Sequence, residues 1–298
     1  MAIPLAASAE PIVIGHSQPN LGWPYIAAFS NALEAAAKNA GDVEVVTLSA
    51  DGDIAKQSTD IASLVNRKVN VLLVTSLDAN AVAPALKQAH DAGIPILAVS
   101  NEPAKVAQDF LAGFSGPDDY VQGRLAAELL NEALAGKGNI AIIEGSPGQS
   151  TTLARTQGLK DRLAELKSGI TIIGAQTADW NPVKAKDVAQ AFLTAYSDDL
   201  AGVFAQDDNS GAAAAEVFKA AGRSDIKVVG TGGTINGLKA IKEGLVYGTV
   251  EQSPAKDAEQ ALKFALALAK GESLPEKRNV IPMAKITAGN VDQFKGEW

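Results

Sequence analysis

The side chains with the most chemistry to offer stand at the ends of short apolar runs. They include His16-Ser17-Gln18 with Trp23 and Tyr25 behind them, Thr75-Ser76, Ser100-Asn101-Glu102, Ser146 with Arg155, and Trp180. Gln206-Asp207-Asp208, Thr231-Gly232-Gly233 and Gln252 complete the set. Aromatic faces accept C–H groups, while planar amide, carboxylate and guanidinium groups pair with hydroxyls that both donate and accept. That combination suits a polyhydroxylated small molecule. Two of the three Trp occupy such ends, one in each half of the chain.

The same inventory excludes other chemistry. There is no Cys, hence no disulfide, thiolate nucleophile or Cys-ligated zinc. His16 and His90 are far apart in the chain, and no GxSxG elbow or evident triad accompanies them. Gly230-Thr231-Gly232-Gly233 is not a phosphate loop, because neither GxGxxG with its acidic partner nor GxxxxGK[ST] occurs. Those glycines are expected to permit a tight turn and close approach of a ligand. Asp51-Gly52-Asp53 lacks the rest of a calcium loop and reads as a surface turn. Neither metal nor cofactor is expected. With 26 Lys+Arg against 34 Asp+Glu, the net charge of −8 argues against nucleic acid as a partner.

Plainer roles compete at several positions. Trp23 and Tyr25 could be core aromatics at a helix start, and Arg155 could pair with a surface carboxylate such as Asp161. Asp207-Asp208 could simply cap a helix. His16, ending a strand, reads as structural.

The elements that must position these residues alternate regularly. Apolar runs at residues 12–15, 43–48, 69–74 and 94–99 have both faces apolar, as buried parallel strands do. Between them Ile54, Ile61, Leu64 and Val65 share one helical face, and Ala81, Ala85 and Ala89 follow i, i+4 spacing. A second series follows, with strands expected at 140–143, 170–173, 202–205 and 226–229. Length and pattern predict an α/β protein of two doubly wound parallel-sheet lobes, divided near residues 114–119. After Gly244 come a β-like run at 247–251, a helix from about 254 to 270, and an irregular stretch at 281–286. A plain tandem would not need them, but a chain that crosses back to the first lobe would.

From about residue 11 to residue 286 the chain resembles the ribose-binding-type periplasmic sugar-binding proteins of ABC importers, the type I solute-binding fold. Trp23-Pro24-Tyr25, Ile94-Pro95-Ile96 with Ser100-Asn101, Thr151 to Arg155, Ala178-Asp179-Trp180, Val203-Phe204-Ala205-Gln206-Asp207-Asp208, Val228-Val229-Gly230 and Glu251-Gln252 carry the resemblance. It implies two Rossmann-like lobes joined by a three-segment hinge, with ligand in the cleft. One lobe would hold residues 11–116 plus 252–280, and the other 117–251 plus 281–298. Tyr25 and Trp180 correspond to aromatics that pack on sugar faces, Arg155 to a ligand-binding arginine, Asp207 to an acceptor of sugar hydroxyls, and Gln252 to a hinge-side glutamine. The expected ligand-binding set is Trp23, Tyr25, Ser100, Asn101, Arg155, Trp180, Asp207, Thr231 and Gln252.

The departures bear on the ligand. Ribose binders carry Asp-Arg where this chain has Ser100-Asn101, and Phe-Asp where it has Thr231-Gly232. Their first-loop Asn is replaced by Trp23, and the second residue of their Phe pair by Ile26. Another monosaccharide, a polyol or a sugar derivative is therefore expected. The resemblance further implies a non-catalytic monomer in the periplasm that hands its ligand to a membrane permease with its ATPase. Residues 1–10, with Ala7-Ser8-Ala9, read as a clipped signal remnant or a tail. A sugar-sensing effector domain or chemotaxis co-receptor of the same fold is the alternative.

Overall fold

The computed structural model describes residues 11–298, so the expectation for Ala7-Ser8-Ala9 lies outside the described residues. The first series runs β1 (Ile12–Gln18), α1 (Pro24–Asn39), β2 (Val43–Ser49), α2 (Ile54–Asn66), β3 (Val71–Val74), α3 (Ala83–Asp91), β4 (Ile96–Val99) and β5 (Gly113–Gly116). The second runs α4 (Asp119–Ala133), β6 (Lys137–Glu144), α5 (Ser150–Glu165), β7 (Gly169–Thr177), α6 (Pro182–Tyr196), β8 (Leu200–Ala205), α7 (Asp208–Ala220), β9 (Lys227–Gly232), α8 (Ile235–Lys242) and β10 (Gly248–Glu251). Then follow α9 (Pro254–Ala269), β11 (Arg278–Val280) and β12 (Lys285–Thr287).

The doubly apolar strands are buried on both sides. In β3, Val71 and Leu73 join the core under α1 and α9, while Leu72 and Val74 join the core under α2 and α3. In β6, Ile140 and Ile142 face α4 and α5, and Ala141 and Ile143 face α6 and α7. Alternating side chains therefore need apolar character at every position, which is why these strands show no polar face.

The two sheets repeat one strand order. The first is β11-β5-β4-β3-β1-β2, entirely parallel; the second is β12-β10-β9-β8-β6-β7, with β12 antiparallel to β10. In each, the winding reverses beside the first strand of the series, which opens a crevice at the carboxyl ends. The chain passes between the sheets three times: after β5, after β10, and between β11 and β12.

Two features differ from the sequence expectation. Gly113-Phe114-Ser115-Gly116 is a strand, although two glycines in four residues hide it. Space demands them: a Cβ on Gly113 would fall 2.7 Å from a Leu274 methyl, and one on Gly116 2.9 Å from the Ser100 nitrogen. The stretch expected to be irregular contains the start of β12, whose partner is remote in sequence. Asp51-Gly52-Asp53 is a turn as expected, with Asp51 and Gly52 at positive φ and Asp53 capping α2 through the Lys56 N–H at 3.0 Å. No helix among the described residues is long and apolar enough to cross a membrane.

Candidate functional site

Between the carboxyl edges of the two sheets lies a cavity with about 500 Å³ of atom-free space, part of it continuous with solvent. Trp23, Tyr25, Asn101, Arg155, Trp180, Asp207 and Gln252 line it, together with Pro24, Ile26, Gln149, Thr151 and Trp298. Seven of the nine sequence-predicted residues thus converge, from both sheets and from the crossing after β10.

Each wall has a local cause. Pro24 opens α1, where a missing N–H costs nothing, and this sets Trp23 at the cap and Tyr25 in the first turn. The Tyr25 hydroxyl donates to Asp257 Oδ2 at 2.7 Å, so α9 fixes the ring. Burial and the neighbouring Asp257 carboxylate raise the Tyr25 pKa well above its ordinary value, keeping it a donor.

Arg155 is brought to the cavity by the close crossing of α4 and α5. A Cβ on Gly123 would fall 2.1 Å from the Arg155 carbonyl oxygen, and one on Gly158 2.0 Å from that of Tyr120. These glycines let the helices touch backbone to backbone. The guanidinium, 3% exposed, donates to Gln122 Oε1 at 3.0 and 2.8 Å, to Gln252 Oε1 at 2.7 Å and to the Gln206 carbonyl. Asp119, not Asp161, is its ion partner, at 3.1 Å. Burial pushes the Asp119 carboxyl up, against the pull of Arg155.

Trp180 follows Asp179, and both have left-handed backbone, φ 57° and 55°. Such a conformation is unusual for a bulky residue and persists only where the surroundings enforce it. The indole nitrogen donates to Gln149 Oε1 at 2.7 Å, and the ring centroid lies 5.8 Å from Arg155 Cζ. Opposite it, Asn101 donates to the Ser76 carbonyl at 3.0 Å and accepts from Thr151 Oγ1 at 2.8 Å, a bond that joins the two sheets across the cleft. Asp207 caps α7 by accepting from the Ser210 N–H at 2.9 Å while still lining the cavity, so capping and lining are combined in one residue. Burial raises its pKa.

Ser100 and Thr231 do not line the cavity. Ser100, at φ 60°, turns its hydroxyl to Asp257 Oδ2 at 2.8 Å and supports Tyr25 from behind. Thr231 is 1% exposed, in a region organised around Asp208. Gly232 and Gly233, at φ 146° and 67°, form the expected tight turn, while the space beside Gly230 is taken by a side chain of the protein. Cβ atoms on Gly230 and Gly237 would fall 2.1 and 2.3 Å from the Asp208 carboxylate. That carboxylate accepts from Thr249 Oγ1 at 2.6 Å and the Thr234 N–H at 2.9 Å, and burial lifts its pKa to about 6. His16 is fully buried, edge-on to Phe29 at 5.5 Å, and burial holds it neutral with a pKa of about 3. Among the described residues no three His, Cys, Asp or Glu gather as metal ligands do.

The expected ligand-binding set omitted Pro24, Ile26 and Thr151, although the residues that carry the resemblance or depart from it include them, and Gln149, Trp298 and the supporting Asp257 were not singled out at all. Gln149 and Thr151 flank a helix start next to residues already singled out, a signal that was present. Trp298 offered none, since nothing in its neighbours places it near Tyr25.

The model of the periplasmic binding protein domain family matches residues 14–273. The chain is 33% identical over 253 residues to the xylitol-binding protein of Mycolicibacterium smegmatis, covering 85% of this chain and 71% of that one. It is 28% identical to the ribose import binding protein of Escherichia coli K12, over 78% and 77% of the two chains. A solved ABC transporter solute binding protein from Bacillus halodurans C-125 with bound myo-inositol superposes with a TM-score of 0.90. It is 26% identical, with 98% of this chain and all of that one covered. The expected resemblance and the two-lobed α/β fold are borne out: this chain belongs to the periplasmic binding protein domain family.

Proposed function

We propose that the protein captures a monosaccharide, polyol or related sugar derivative in the periplasm and delivers it to the permease and ATPase of an ABC importer. The observation that carries this is the cavity wall. Three indoles and a phenol alternate with Asn101, Arg155, Asp207, Gln149 and Gln252, contributed by both sheets. Indoles stack on C–H faces while amides and charged planar groups take the hydroxyls. Relatives named for xylitol and ribose, and a similar structure holding myo-inositol, support that ligand class.

The mechanism we infer is hinge closure. One lobe comprises residues 11–116 with 252–280, the other 117–251 with 281–298, and the three crossings between the sheets act as the hinge. A ligand bridging Tyr25 and Asn101 on one side to Trp180 and Asp207 on the other stabilises the closed state only, and so shifts the population toward it. A carrier that releases its ligand unchanged has no use for a nucleophile, so we read the protein as a binder and not an enzyme, and, with the family resemblance as support, as a monomer.

A thermal-shift screen of pentoses, hexoses, pentitols and inositols tests this. A ligand at 100 times its Kd stabilises by about 2.7 kcal/mol, which raises Tm by roughly 5 °C for a chain of this size. Small-angle scattering should show compaction with the same compound. No shift and no compaction across the panel would overturn the reading, and turnover of a bound sugar would replace it with an enzyme.

A further inference from the structure

Residues 294–298 tie together parts of the molecule that are distant in sequence. Gly296 lies so close to α8 that a Cβ would fall 2.5 Å from the Ile235 nitrogen, and the Ile235 N–H donates to the Trp298 carbonyl at 2.9 Å. That end belongs to the second sheet. The Glu297 carboxylate accepts from Ser253 Oγ at 2.8 and 2.9 Å and from the Ala255 N–H at 3.1 Å, at the start of α9 on the first sheet. A carboxylate there also meets the positive end of the helix dipole. The Trp298 indole meets Tyr25 edge-on, with centroids 5.4 Å apart and planes at 75°. Its other side rests on Gly232, where a Cβ would sit 3.0 Å from Cζ2.

Trp298 is also a wall of two neighbouring hollows, one beside Ser253 and Lys256, the other beside Pro24 and Pro182. Trp298 lines all three, and with Gln252 on one side and Pro24 on the other it separates the candidate ligand cavity from both hollows. We propose that residues 294–298 form a strap across the lobes, with Trp298 as a specificity-determining wall and Glu297 as the positioning residue that holds it. The strap restricts the cavity to single-ring sugars and short polyols, and excludes oligosaccharides. This inference rests on the sugar-binding reading above.

The test is calorimetric titration of the full chain with xylitol, D-ribose, D-allose and myo-inositol as short ligands, and maltose and maltotriose as long ones. Trp298→Ala should weaken the best short ligand at least tenfold and shift the short-to-long affinity ratio at least tenfold toward the long ones. Trp298→Phe should restore most of the selectivity. Glu297→Gln should speed ligand dissociation several-fold in stopped-flow fluorescence, with the circular dichroism spectrum unchanged. Should Trp298→Ala unfold, Trp298→Leu leaves a smaller cavity and should still lose the selectivity. Wild-type affinity and selectivity in a folded Trp298 variant, alongside lost binding in Trp180→Ala, would overturn the strap and leave the sugar site standing. A wild-type protein that binds none of the six compounds, nor any pentose, hexose, pentitol or inositol of the thermal-shift panel, would overturn both.

Discussion

The Trp180 indole occupies the space that a side chain at Gly145 would need. A Cβ there would fall 1.9 Å from Cζ2 and 2.1 Å from Cη2 of the ring. Gly145 follows β6 and is itself held by its N–H bond to Gln206 Oε1 at 3.0 Å. The ring is thus seated by backbone on one side and by Arg155 on the other. Gly145→Ala is expected to displace the indole, destabilise the fold by about 1–3 kcal/mol as overpacking does, and weaken ligand binding as much as Trp180→Ala. Trp180→Ala itself should cost more than tenfold in affinity with Tm nearly unchanged. Calorimetry and urea melts check both, and wild-type affinity in either variant would remove the ring from the site.

Arg155 holds Gln122, Gln252 and Asp119 together at one wall of the cavity. Arg155→Met should leave Asp119 buried without its cation and cost roughly 3 kcal/mol of stability. Arg155→Lys should recover part of the stability yet still bind ligand at least tenfold more weakly, because an ammonium cannot reproduce the planar fork. Equal affinity in the Lys variant would mean that charge alone suffices.

Asp257 gives the clearest pH signature. Burial lifts its carboxyl from the ordinary 3.8 to about 7, so the folded state holds the proton more tightly than the unfolded state. Its contribution to stability is complete below pH 3.8 and is lost as pH rises through 7, by at most about 4 kcal/mol. Asp208, lifted to about 6, acts in the same direction. His16, depressed from 6.5 to about 3, acts in the opposite one, losing stability as pH falls through that window. Comparison with Asp257→Asn isolates the first group. The stability of wild type relative to the variant should fall between pH 4 and pH 7, and a flat difference would contradict the assignment.

All three tryptophans of the chain, Trp23, Trp180 and Trp298, line one cavity. Intrinsic emission should therefore change in intensity or wavelength on addition of a bound sugar, with a titration midpoint equal to the calorimetric Kd. In Trp180→Phe the amplitude should fall. Emission that stays constant while calorimetry reports binding would place the ligand elsewhere.

Most of the architecture was already present in local pattern. The doubly apolar runs specify buried parallel strands, the 3.6-residue stripes specify their covering helices, and polar residues at strand ends mark where a ligand can reach the crevice. Seven of the expected cavity residues follow from that rule combined with family resemblance. Tertiary structure alone decided the remainder. Whether Ser100 faces the cavity or Asp257 depends on α9, which comes more than 150 residues later and returns to the first sheet. Whether the glycines around Thr231 admit a ligand or the Asp208 carboxylate depends on how β9 and α7 approach each other. Trp298 reaches Tyr25 only because the chain crosses between the sheets three times. Such contacts join positions well beyond one helical turn or strand repeat, from Gly230 and Asp208 to Tyr25 and Trp298, where local periodicity carries no information, and their geometry is set by packing.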